Sequence, residues 1–449
     1  MNYELTPSGE KSIIVNNISY NICVYLMNLA IMKEEEIKMK KQLFGLAMAA
    51  LMAASLTACG GSAPAETTAA AEAPAEAAEG GEAAEAAEAP AADGLAWKIG
   101  GIGPITGPAA AYGESVKNSF ELAAKEINEA GGINGYPVEI QFQDDEHDPE
   151  KSVNAYNTLK DWGMQISLGS VTSTPCVATA SETYDDRIFA ITPSASAVAV
   201  TEDKDNMFQM CFADPNQGSA SAQYIMDKGL ATKVAVIWKN DDVYSKGIYE
   251  TFKAKAAELG LELVSDTTFA DGNDTDFSVQ VADAQANGAE LIFLPMYYTP
   301  ASLILAQADK IGYTPKFFGV DGMDGILTLE GFDTALAEGV MLLTPFNADA
   351  TDEKTVSFVT KYQEKYGEIP NQFAADGYDC VYAYCQALTN AGCTPDMSAE
   401  EICDAMIEQF TTMTFNGITG DNMTWGTDGA VTKGPKGMVI SNGAYVGMD

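Results

Sequence analysis

An α/β fold is expected for this chain: two Rossmann-like lobes, each on a parallel sheet, joined by a multi-strand hinge. Three observations lead there. Short apolar runs of strand length alternate with amphipathic helical patterns, the order that builds a parallel sheet covered on both faces. The series restarts after Phe212-Ala213-Asp214-Pro215. No Pro/Gly-rich tether separates the halves, so short crossings rather than a flexible linker connect them.

Taken in order, Trp97 to Gly103 reads as a strand. Tyr112 to Ala130 reads as a helix, with Val116, Phe120, Ala123, Ala124 and Ile127 on one face and Gly131-Gly132 ending it. A strand over 138–143, a helix over 149–162 and strands over 166–168 and 188–191 complete the first series. The second has strands over 233–238, 261–264, 291–294 and 317–320, separated by helices near 244–259, 275–287 and 300–311. Beyond 341–343 come amphipathic helices over 351–366, 372–391 and 399–410, then a tail rich in Gly, Asn and Asp. The folded part is expected to divide into lobe I, 95–213 with 345–415, and lobe II, 214–344 with 416–449.

The N-terminal part is of a different kind. Lys40 and Lys41 precede an apolar run from Leu43 to Leu56, too short to span a membrane stably and ending in small residues, which is the pattern of a removable export signal over 39–58. The tetrad Leu56-Thr57-Ala58-Cys59 resembles the lipobox of bacterial lipoproteins, which implies acylation of Cys59 and a membrane-anchored, extracytoplasmic protein. Residues 1–38 have no place before such a signal and read as an over-extended start, with Met39 the initiator. Residues 59–94 are mostly Ala, Glu, Pro, Gly and Thr and build no core; they read as an acidic spacer.

The formal net charge is -39, and residues 1–58 carry five Lys and five Glu, so the remainder keeps all of it. Such acidity argues against nucleic acid or an anionic membrane surface as a partner. It does not dictate a cationic ligand, because a pocket has its own local sign. With one His in the chain, no Cys-x-x-Cys and no Cys/His cluster, neither a metal site nor a cofactor is expected. Six of the eight cysteines fall in the folded part, and Cys393 with Cys403 is the more plausible bridge among them.

Open parallel sheets bind ligands beyond the carboxyl ends of their strands. After the first strand comes Gly103-Pro104-Ile105-Thr106-Gly107-Pro108, then Tyr112-Gly113. A dinucleotide fingerprint does not fit: Gly101 and Gly103 supply G-x-G, but the third position is Thr106 and no acidic residue follows at the required distance. Instead, Ile102 to Gly107, Tyr112-Gly113, the string Ile127-Asn128-Glu129-Ala130-Gly131-Gly132-Ile133-Asn134-Gly135 and Asp144-Asp145-Glu146-His147-Asp148-Pro149 resemble the opening of branched-chain amino acid-binding proteins of ABC importers, the type I periplasmic binding proteins. The resemblance continues through Ile191 to Ser196, Asp214 to Gly218 and Gly319 to Gly322, and covers the chain from about Trp97 onward.

The resemblance implies a site. The ligand carboxylate is expected at Ser173 and Ser196 with the backbone of Ser194, at loop-to-helix junctions where a helix start favours an anion. Asp321 is expected to face the ammonium, with Tyr297 beside it, while Tyr112 and Tyr244 match aromatic positions lining the cleft. Each has a plainer reading: the serines as helix caps, Asp321-Gly322 as a turn, the tyrosines as packing. Two departures stand out. Many relatives pair cysteines at the positions of His147 and Thr172, so that disulfide is absent and His147 reads as a solvated loop residue. The acidic ligand is commonly Glu, one methylene longer than Asp321.

The expected function is therefore a lipid-anchored receptor that closes around an amino acid, branched-chain or a similar small zwitterion, and delivers it to an ABC permease with its ATPases, as a monomer. No G-x-x-x-x-G-K and no G-x-S-x-G is present, which argues against an enzyme. The alternative is a non-enzymatic sensor or receptor lipoprotein for an amide, urea or an aromatic acid.

Overall fold

Strand-forming apolar runs pair into two sheets, one in each half of the folded chain. The computed structural model describes residues 94–448, all within the compact unit Ala86–Asp449. The over-extended start, the signal, Cys59 and nearly all of the spacer lie outside the described residues.

The first half runs β1 (Trp97–Gly103), α1 (Ala110–Glu129), β2 (Val138–Asp144), α2 (Pro149–Trp162), β3 (Ile166–Leu168), α3 (Ser173–Asp185), β4 (Phe189–Thr192) and β5 (Met207–Gln209). Its five strands lie in the order β2-β1-β3-β4-β5, all parallel, with Trp97 opposite Val138 and Gly103 opposite Asp144. The second half runs α4 (Asp214–Asp227), β6 (Lys233–Lys239), α5 (Val243–Leu259), β7 (Glu262–Phe269), α6 (Ser278–Ala286), β8 (Leu291–Leu294), α7 (Tyr298–Lys310), β9 (Lys316–Gly319) and β10 (Met341–Thr344). After α8 (Glu353–Tyr366), α9 (Gln372–Ala391) and α10 (Ala399–Phe410), the chain closes with β11 (Lys436–Ser441) and β12 (Ala444–Gly447). The second sheet has the order β12-β11-β10-β9-β8-β6-β7. It departs from the all-parallel expectation: β11 and β12 join as an antiparallel edge.

Local chemistry sets the ends. Asp148 accepts from the Lys151 N–H and caps α2, which starts on Pro149 and stops at left-handed Gly163. Ser398 and Glu401 form a reciprocal capping box on α10. The chain crosses between the sheets three times, after β5, after β10 and after α10. Helices α8 to α10 return to the first sheet: the Tyr384 hydroxyl donates to Ser167 O (2.7 Å) and accepts from Ile191 N (3.1 Å), and Phe410 packs on Phe189.

Within the expected second-lobe segment 416–449, the part up to Val431 lies beside the first sheet, where Trp425 Nε1 donates to Gln209 O (2.8 Å); from Lys436 it enters the second. This crossing is locked by a buried charge cluster. Lys433 Nζ meets Asp376 and the Thr419 hydroxyl, each at 2.7 Å, and Asp379 accepts from the N–H groups of Ile418 and Thr419. The expected Cys393–Cys403 bridge is not formed; all six described cysteines are free. Cys393 follows the Gly392 cap with its carbonyl held by Asn134 (2.9 Å), whereas Cys403 sits in α10 toward Arg187 and Asp205.

Candidate ligand cleft

Loops at the carboxyl ends of both sheets meet over one small cleft. Tyr112 on α1, Val171, Thr172 and Ser194 from the loops after β3 and β4, and Phe373 on α9 form one wall. Tyr244 on α5, Tyr297, Asp321 and Gly322 form the other. The space between them is about 10 Å³, room for roughly one water.

Asp321 opens a short 3₁₀ turn after β9 and is 4 % exposed. Its Oδ1 accepts from the Tyr244 hydroxyl (2.6 Å) and from the Gly322 N–H (2.7 Å), which fixes the carboxylate on the wall. Burial is the largest influence on it and pushes its pKa up to about 7, against the pull of Tyr244, Gln217 and the Gly322 N–H. Gly322 is required by contact: a Cβ there would meet Tyr244 Oη at 2.6 Å. Tyr244 and Tyr297 stack with centroids 4.7 Å apart, and the Tyr297 hydroxyl, buried, has no hydrogen-bond partner. Behind this wall Asp214 is 1 % exposed with neither carboxylate oxygen in hydrogen-bond geometry with a partner, and burial pushes its pKa well up against the pull of the nearby Ser196 hydroxyl.

The two walls are bonded together. Tyr112 donates to Gly322 O (2.5 Å) and accepts from Tyr298 N (3.2 Å), and Thr174 donates to Asp242 (3.1 Å). Gln372, at the start of α9, donates its Nε2 to Asp321 O (2.7 Å).

Of the residues singled out in the sequence, Tyr112, Ser194, Tyr244, Tyr297 and Asp321 share this lining; Ser173 and Ser196 do not reach it. The Ser173 hydroxyl turns to the Ala197 N–H (3.3 Å) and that of Ser196 to Gln217 Nε2 (3.3 Å), both inside the wall. Ser194 donates to Val171 O (2.6 Å), and its N–H faces Thr192 Oγ1 (3.3 Å), so neither group points into the cleft. Ser173 is nonetheless the first residue of α3, whose leading N–H groups have no partner within the helix. Val171, Thr172, Gly322 and Phe373 were not anticipated, being small or apolar residues whose place depends on how the loops meet.

His147 is corrected. It is half-buried, not solvated, with a positive φ of 63°. Its Nδ1 lies 2.8 Å from Thr172 Oγ1, so a hydrogen bond joins the two positions that a disulfide would have linked. Its ring meets Tyr297 edge-on at 5.2 Å, and burial lowers its pKa.

The periplasmic binding protein family model matches residues 96–442. An amino acid binding protein of Pseudomonas aeruginosa is 32 % identical over 310 residues, 68 % of this chain and 81 % of that protein. Leu/Ile/Val-binding protein homolog 1 of Brucella abortus is 30 % identical over 70 % of this chain and 84 % of its own length. Among solved structures, the branched-chain amino acid transporter substrate-binding protein LivJ of Streptococcus pneumoniae, in complex with isoleucine, superposes with a TM-score of 0.71 at 28 % identity, over 78 % of this chain and 97 % of that one. The chain belongs to the periplasmic binding protein family, alongside the substrate-binding proteins of branched-chain amino acid ABC transporters.

Proposed function

We propose that this protein captures a branched-chain amino acid, or a similar small zwitterion, between two lobes and delivers it to an ABC importer from the outer face of a membrane to which Cys59 anchors it. Asp321 carries the reading. A buried carboxylate held by two donors, with a second buried carboxylate at Asp214 behind it, is costly alone and is stabilised by an ammonium placed against it. The carboxylate of the ligand then lies toward Thr172, Ser194 and the start of α3, where the helix dipole favours negative charge without a lysine or arginine. The unpartnered Tyr297 hydroxyl gains a partner from the ligand.

The cleft as it stands has room for one water, so uptake requires the Tyr112–Gly322 and Thr174–Asp242 contacts to part. The two lobes would move about the three crossings, with the segment up to Val431 travelling with the first sheet and the strands from Lys436 with the second. Binding favours the closed shape by differential affinity, and that shape is what a permease recognises. No bond is made or broken in this cycle.

The test is a thermal-shift screen of the amino acids and small amides. A ligand at about a hundred times its Kd stabilises by roughly 2.7 kcal/mol, so leucine, isoleucine or valine raises the melting temperature. A shift from aromatic acids or amides alone refutes the zwitterion reading. For the anchor, Cys59→Ala releases the protein from the membrane fraction; retention refutes acylation there.

A further inference from the structure

A second, larger cavity of about 660 Å³ lies beyond the wall that Tyr112 makes with Tyr298 (5.0 Å) and Phe373 (4.3 Å). Both halves build it: the start of α1 on one side, residues 324–330 on the other, and the crossing after β10 between them. Its floor is apolar, with Tyr298, Leu342, Phe346 and Met438 buried. Around this floor stand Glu114, Asp324, Glu330, Asp349 and Glu368, and no lysine or arginine is among the described residues that line it.

Asp324 sets this cavity apart from an acidic stretch of surface. The residue is 5 % exposed; Oδ2 accepts from the Gln372 N–H (3.0 Å), while Oδ1 is buried with no hydrogen-bond partner. Burial is the first influence on its pKa, raised to about 6, and the Gln372 N–H, the Tyr445 hydroxyl and the Gly325 N–H only partly oppose it, the last two lying near the carboxylate but outside hydrogen-bond geometry to Oδ1. A buried carboxylate oxygen without a donor is a cost unless a cation or donor reaches it. The 3₁₀ turn Asp321–Met323 therefore places a carboxylate on each side of the wall, Asp321 on the cleft and Asp324 on this cavity.

We infer that this cavity is a second small-molecule site, for an organic cation carrying a short apolar chain, whose ammonium pairs with Asp324 while the chain covers the apolar floor. Pockets of this size take small ligands, with an apolar body and a few placed polar groups fixing orientation. Because both halves line the cavity, its occupant adds contacts across the crossing rather than within one lobe.

Isothermal titration of the full chain with n-hexylamine at pH 7.5 tests the inference, with hexanol and hexanoate as neutral and anionic controls. Hexylammonium should bind while neither control does. Affinity should fall about tenfold or more in Asp324→Asn and persist in Asp321→Asn, as expected for losing one charge-assisted partner. Equal affinity in wild type and Asp324→Asn overturns the site, as does loss in Asp321→Asn with retention in Asp324→Asn, which moves the amine to the first cleft. Should Asp324→Asn fail to fold, Leu327→Trp on the cavity wall decides: blocked binding supports the site, and undiminished binding refutes it.

Discussion

Replacing Asp321 by Asn separates ligand recognition from the stability of the ligand-free fold, and the structure gives a sign to each. Removing one member of a buried charge pair costs about 2–5 kcal/mol, and every 1.4 kcal/mol is tenfold, so the Kd for L-leucine should rise roughly thirtyfold to several-thousandfold. The ligand-free protein should respond the other way. Burial lifts the Asp321 pKa from 3.8 to about 7, so its folded state holds the proton more tightly than the unfolded chain does. Stability from this group is full below pH 3.8 and is lost as pH rises through about 7. Three pKa steps at 1.36 kcal/mol each make the ionised carboxylate a burden of about 4 kcal/mol, which Asn does not carry. Urea unfolding at pH 8 should find Asp321→Asn more stable than wild type, with the gap narrowing toward pH 5. Titration calorimetry at pH 8 reads the first effect, with 4-methylpentanoate, which lacks the ammonium, losing no affinity in the variant. Leucine affinity within about threefold of wild type, or no stability gain at pH 8, would refute the assigned role.

Other substitutions follow from the same contacts. Gly322→Ala drives a Cβ to 2.6 Å from Tyr244 Oη and should displace the hydroxyl that holds Asp321, weakening leucine binding at least tenfold by calorimetry; unchanged affinity contradicts the packing argument. His147, surrounded by Asp242, Lys239, Asp271 and Asp148, has its pKa lowered from 6.5 by burial, so its contribution is present above pH 6.5 and lost as pH falls below it. The melting-temperature difference between wild type and His147→Asn should therefore shrink from pH 7.5 to pH 5, and a constant difference refutes it. Lys433→Met leaves Asp376 buried and unpaired and should cost about 3–5 kcal/mol in urea unfolding, whereas Lys433→Met with Asp376→Leu should recover most of that.

Much of the fold was legible because apolar runs and helical periods are local signals: the strand read at Trp97 to Gly103 is β1, and the helix read at 149–162 is α2. The omissions share a physical cause. Helix α4 packs so closely on α5 that a Cβ on Gly218 would meet Thr251 Oγ1 at 2.1 Å, and the small residues this approach demands give a weak apolar period. Strand β11 is held by Met341 opposite Val439, a pairing remote in sequence, within a tail whose glycines and asparagines read as loop. The acidic end of the site was readable as a motif after a strand. Thr172 and Phe373 were not, because only the meeting of loops from both sheets makes them neighbours of Asp321.

A crystal structure of the protein grown with L-leucine tests the central claim most directly. The account predicts leucine between the two sheets, its ammonium within hydrogen-bond reach of Asp321 and its carboxylate toward Thr172, Ser194 and the first turn of α3. Leucine bound with its carboxylate on Asp321, or seated away from the cleft formed by Tyr112, Tyr244 and Tyr297, would contradict it.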